Sequence, residues 1–175
     1  MEGSSSFSLL FEDFPELRAP EAMLEKEVLA HFGLLFSGYA LLETGLQNCY
    51  IFWQLRTLQS GGRISDQAAW EVSYDFLERH AHASTFGTLL KLLSNCVFLS
   101  AYQGELDDLK KKRDYFAHHF FREENDKMFS RAAMLQLIDG MDSLRRRVKV
   151  AEQHVDSAAF AMISEIYPGV DLSEN

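Results

Sequence analysis

The chain has 175 residues, of which 47% are apolar and 14 are phenylalanine, and its formal net charge is −9. That length suits one domain whose core needs no disulfide or metal to staple it. The negative balance excludes a protein that coats nucleic acid through bulk charge, but not one that grips a few phosphates locally.

Residues 1–19 read as a lead-in. A serine run, Pro15 and the Glu12–Asp13 pair surround Leu9, Leu10, Phe11 and Phe14, a mix that fits either a frayed end or an apolar clip on the body. No basic stretch precedes a continuous apolar run, so no signal peptide is expected. Pro20 suits a first helical turn, and Glu21, Glu25 and Glu27 favour a helix N-terminus. Leu24, Val28, Phe32, Leu35, Tyr39, Leu42, Leu46, Tyr50 and Trp53 then recur three and four apart, which predicts a helix to about Leu58. Gly33, Gly38 and Gly45 lie inside it and mark a bend or a close helix crossing. Val28 to Trp53 comes nearest to a membrane span, but His31, Glu43, Gln47 and Asn48 interrupt it, so no span is expected. Glu43 falls beside the apolar face. It is either a solvent-reaching rim residue or the partner of a buried cation, for which Arg113 is the candidate.

Gly61-Gly62 ends this helix, and Ser65 or Asp66 can cap the next, which carries Trp70, Val72, Tyr74, Phe76 and Leu77 to about His80. His80 and His82 are two apart, on different faces of a helix, and read as turn or surface histidines rather than a metal pair. Ser84 or Thr85 can cap a short helix, TFGTLLKLLSN, with Phe86, Leu89, Leu90 and Leu93 inward. Cys49 and Cys96 sit in apolar runs with no CxxC spacing and read as free buried thiols in a reducing cytosol. Ser100 and Gln103 have the capping-box spacing and open a helix with Leu106, Leu109, Phe116, Phe120 and Phe121 as its apolar positions. Glu123 to Asp126 read as a turn. Met134, Leu137, Met141, Leu144, Val148, Ala151, Val155, Ala159, Met162 and Ile166 keep helical spacing up to Pro168. Residues 169–175 form an acidic tail. The reading is one all-α domain over residues 20–168, a bundle of about five helices with a long first and a long last member.

Chemistry concentrates in Arg113-Asp114-Tyr115-Phe116-Ala117-His118-His119, preceded by Lys110, Lys111 and Lys112. A second basic group is Arg145, Arg146 and Arg147 with Lys149. On a helix at ~100° per residue, Asp114 and His118 share a face, so the carboxylate is expected to bond the imidazole. Arg113 lies roughly 140° from His118; a helix end within the motif, or a second chain, would close that gap. Arginine beside histidine suits phosphodiester chemistry. The guanidinium forks onto phosphate oxygens, and the imidazole moves a proton to or from a ribose hydroxyl. Spacing alone also fits a salt-bridged surface.

The segment RDYFAH, inside an all-α chain of this length, resembles the HEPN superfamily (higher eukaryotes and prokaryotes nucleotide-binding domain), whose nuclease members carry an Arg four to six residues before a His. Arg113, Asp114, Ala117 and His118 match that pattern, and TFGTLLKLL resembles a frequent helix of the superfamily. Asp114 stands where many members have Asn. The resemblance implies a metal-independent endoribonuclease without cofactor, of the toxin or abortive-infection type, cytoplasmic, and a two-fold homodimer whose two motifs line one cleft. It implies RNA as substrate and allows a cognate antitoxin protein as partner, with no membrane. The implied roles are proton transfer for His118, phosphate binding for Arg113, orientation for Asp114 and an auxiliary base in His119. Lys110, Lys111 and Lys112 would attract substrate, with Glu43 and Tyr115 in support. A non-catalytic nucleotide- or protein-binding module of the same kind is the alternative.

Overall fold

The computed structural model describes residue 12, residues 14–19 and residues 22–167. The readings for Leu9, Leu10, Phe11, Pro20, Pro168 and the acidic tail fall outside these residues. Among the described residues there are six α-helices and no strand, an all-α bundle. The helices are α1 (Met23–Ser60), α2 (Gln67–His82), α3 (Phe86–Leu92), α4 (Gln103–His118), α5 (Phe120–Glu123) and α6 (Arg131–Ile166). The expected five are present, and the one-turn α5 is the addition. Short 3-10 turns occupy Pro15–Arg18, Val97–Leu99 and Asn125–Phe129.

The long helices α1 and α6 pack along each other and carry most of the core. Val28, Leu35, Leu42, Leu46 and Leu55 of α1 are buried, as are Met141, Val148, Val155 and Met162 of α6. Gly45 is the close crossing: a Cβ there would lie 3.0 Å from Val155 Cγ1, so a larger residue needs that side chain to give way. The Cys49 thiol, buried and free, donates to the Val155 carbonyl at 3.1 Å across the same seam. Burial pushes this thiol well above its ordinary pKa. The apolar residues of α1 spread around much of its circumference, and Leu29, Leu34 and Leu41 remain exposed. By length and composition alone α1 is apolar enough to cross a membrane, a property that the core helix of a bundle shares. Eleven of its residues are buried in the bundle.

The caps resolve the alternatives left by the sequence. Asp66 accepts from the Ala69 amide at 2.9 Å and starts α2, whereas Thr85, not Ser84, starts α3. Val72 and Phe76 of α2 face solvent, while Leu77 is buried. The capping box does not form. The chain makes the Val97–Leu99 turn first, α4 begins after Tyr102, and the Gln103 amide donates to the Ser94 carbonyl at 2.5 Å. This bond ties the start of α4 to the end of α3.

Candidate active site

α4 carries the RDYFAH segment and is held from two sides. Leu106 and Leu109 are buried in the core. Arg147 of α6 clasps Glu105 in a two-bond fork, both at 2.9 Å, and Asp108 at 2.7 Å. These bonds hold the Asp108 carboxyl below and the Arg147 guanidinium above their ordinary pKa ranges. Arg145 and Arg146 both pair with Asp142. The second basic group is thus engaged by carboxylates, and the apparent positive cluster is largely neutralised.

The helix ends within the motif. His119 takes φ −126° and ψ −31°, its amide bonds to the Tyr115 carbonyl at 2.8 Å, and the helix resumes at Phe120. The break lets Phe120 bury beside Phe32 of α1, with ring centroids 5.4 Å apart, while Phe116 stacks on Phe120 at 4.8 Å. Tyr115 donates to Glu124 Oε1 at 2.7 Å, beyond the break, and anchors the turn. Burial first, then this bond, pushes the tyrosine pKa up to about 12.

Arg113 approaches Glu43 of α1 to 3.9 Å, and both side chains are partly exposed, so Glu43 reaches solvent and also has a cation beside it. The same guanidinium approaches Asp114 at 3.4 Å. It has five N–H donors and these contacts are long, so donor capacity remains. Asp114 does not bond His118. Its carboxylate pairs with Lys110 at 2.7 Å, one turn upstream. Lys110 first, and Arg113 after it, hold Asp114 below the ordinary carboxylate range. The spacing of four that suggested an imidazole partner serves equally for a full ammonium charge, which binds the carboxylate more strongly. His118 is therefore exposed at the last residue of α4, with no hydrogen bond to its ring among the described residues; its ring meets His119 edge-on at 6.4 Å. His119 instead contacts Arg122 through Nδ1 at 2.6 Å and lies 3.4 Å from Glu123.

The motif thus splits into two parts of one surface. Arg113, Asp114 and Lys110 face the gap between α3 and α4, where a cavity of about 780 Å³ opens. His118 and His119 sit beyond it, at the end of α4. No contact joins Arg113 to His118 within the chain among the described residues. Among those residues, no group of three His, Cys, Asp or Glu side chains is placed to hold a metal ion. His80, expected as a plain surface residue, is exposed but bonds the Tyr50 hydroxyl through Nδ1 at 2.9 Å. No family model, curated protein or solved structure matches the chain.

Sequence reasoning missed the cavity and its far wall, although one signal was present. Gly87, in the TFGTLLKLL segment, passes so close to α4 that a Cβ would meet Lys110 Cε at 3.1 Å. A glycine in the first turn of a leucine-rich helix marks such an approach. The Tyr115–Glu124 bond carried no signal, because it depends on the break at His119.

Proposed function

We propose that this protein is a cytoplasmic, metal-independent endoribonuclease of the HEPN type, acting as a homodimer in toxin or antiviral defence. The observation that carries the reading is that α4 bears both a guanidinium with spare donors and, at its last residue, an exposed histidine with no hydrogen bond to its ring among the described residues. The 2′-hydroxyl of RNA attacks the adjoining phosphorus, the bond to the 5′-oxygen breaks, and a cyclic phosphate remains. His118 takes the hydroxyl proton or supplies one to the departing oxygen. Arg113 binds the phosphate oxygens as negative charge builds on them. Lys111 and Lys112 attract the strand. Because Arg113 and His118 do not meet within one chain, a second copy brings its own His118 toward the first copy's Arg113. An antitoxin protein would act by covering this end of the bundle.

One observation favours the non-catalytic alternative: Asp114 puts a carboxylate 3.4 Å from Arg113, where phosphate would lie. Incubation of the full chain with structured RNA in EDTA separates the two. Cleavage of RNA but not DNA, abolished in His118→Ala, is expected. A dimer that leaves every RNA intact would end the ribonuclease reading.

A further inference from the structure

Arg113 stands between two carboxylates. Glu43 lies on one side at 3.9 Å and Asp114 on the other at 3.4 Å. By themselves these three side chains carry one net negative charge, which repels any anion that approaches the guanidinium. Lys110 alters that balance. Its ammonium sits 2.7 Å from Asp114 Oδ2, while Arg113 faces the other oxygen, Oδ1. The four side chains together are neutral, and the shorter contact draws Asp114 back along α4, away from Arg113.

The route that Lys110 takes is set by α3. Its stem crosses the first turn of that helix at Gly87, where a Cβ would meet Lys110 Cε at 3.1 Å and Nζ at 3.9 Å. The bare backbone at Gly87 leaves room for the lysine to lie against α3 with its ammonium turned to Asp114.

We infer that Lys110 is a positioning residue: by holding Asp114 off Arg113, it keeps the guanidinium open to an anionic substrate instead of locked in an internal ion pair. The inference rests on the ribonuclease reading of Arg113, and it gives Lys110 a task other than attracting RNA. It also explains how a carboxylate beside the arginine is compatible with phosphate binding. Without the ammonium, Arg113 is the cation left paired with Asp114 among the described residues. The carboxylate then turns onto the guanidinium in a two-bond fork and takes the donors a phosphate needs. A neutral amide in place of Asp114 removes the competitor, and the lysine becomes dispensable.

The test is a cycle of three full-length variants, Lys110→Met, Asp114→Asn and the double change, beside the parent chain. Lys110→Met keeps the stem over Gly87 and removes only the charge; Lys110→Gln serves the same cycle if it does not fold. The first readout needs no RNA. Phenylglyoxal labels accessible guanidinium groups, and peptide mass spectrometry follows its rate at Arg113. Lys110→Met should slow that labelling about three- to fivefold, the scale of a partly exposed ion pair. In combination with Asp114→Asn it should change nothing further. The second readout is RNA cleavage in EDTA. Its kcat/KM should fall in Lys110→Met and recover in the double variant to the level of Asp114→Asn alone. A lysine that only attracts the strand, or only supports the fold, gives the same loss in both backgrounds, and that result overturns the inference. Arg113 labelling untouched by Lys110→Met overturns it too. Coupled labelling with no cleavage by the parent chain keeps the positioning role and removes the ribonuclease. Cleavage by the parent chain that Lys110→Met leaves intact removes the positioning role and keeps the ribonuclease.

Discussion

Replacing Arg113 with alanine separates a catalytic arginine from a structural one, because the structure sets different sizes for the two effects. The Arg113 side chain is 32% exposed and that of Glu43 is 26% exposed, at a separation of 3.9 Å. An ion pair that wet and that long contributes at most about 1 kcal/mol. The change leaves Glu43 within reach of water rather than sealed in the core, so the ~3–5 kcal/mol penalty of an orphaned buried charge does not apply. Asp114 keeps Lys110 as its partner. Arg113→Ala should therefore lower stability by roughly 1 kcal/mol, a fall of ~2–4 °C in Tm for a chain of this size. Removing a donor that stabilises transition-state charge lowers the rate by about 10²–10³. Urea unfolding and RNA cleavage in EDTA, on the same preparation, read both quantities. A stability loss above roughly 3 kcal/mol, with cleavage within tenfold of the parent, would refute the reasoning and make Arg113 an anchor.

The α1–α6 seam and the acid limb of the stability curve give two further tests. Gly45→Ala puts a methyl 3.0 Å from Val155 Cγ1 and 3.1 Å from Asp156 Oδ1, and overpacking of this kind should cost about 1–3 kcal/mol in urea unfolding. The Glu124 carboxyl is held below its ordinary pKa by Lys127 and Tyr115, as Asp114 is by Lys110 and Arg113. Depressed carboxyls bind fewer protons folded than unfolded, so their share of stability is present above the ordinary carboxylate range and lost as pH falls below it. Tyr115→Phe removes one cause of the Glu124 depression and should flatten that acid loss in melting temperature. At the alkaline end, Tyr115 titrates near 12 when folded against 10.0 ordinarily, so its contribution holds below pH 10.0 and disappears toward 12. The phenylalanine variant should not show that loss.

The long elements were legible because burial imposes a period on sequence. Leu24 to Leu46 and Met134 to Ile166 recur three and four apart, and those positions face one another. The motif was legible as residues but not as geometry. Lys110 and His118 stand equally far from Asp114 in sequence, and spacing cannot say which wins; charge decided for Lys110. Arg145 to Arg147 read as a basic group; Asp142, three and four residues earlier on the same helix, was visible as a partner for the first two, whereas Arg147's partners, Glu105 and Asp108, depend on how α4 meets α6. The failed capping box has a similar cause: Gln103 had a better use for its amide, on the carbonyls that end α3.

The pairing of α1 with α6 joins the first and last long helices to be synthesised. Domains close as their later segments leave the ribosome, and contacts distant in sequence wait for the whole intervening loop. A chain halted before residue 131 has Glu43 and Arg113 but lacks Arg147, the clasp on α4, and lacks Val148 and Val155, which cover α1. The Arg147 clasp on the helix bearing His118 therefore forms only once α6 has been made and packed on α1.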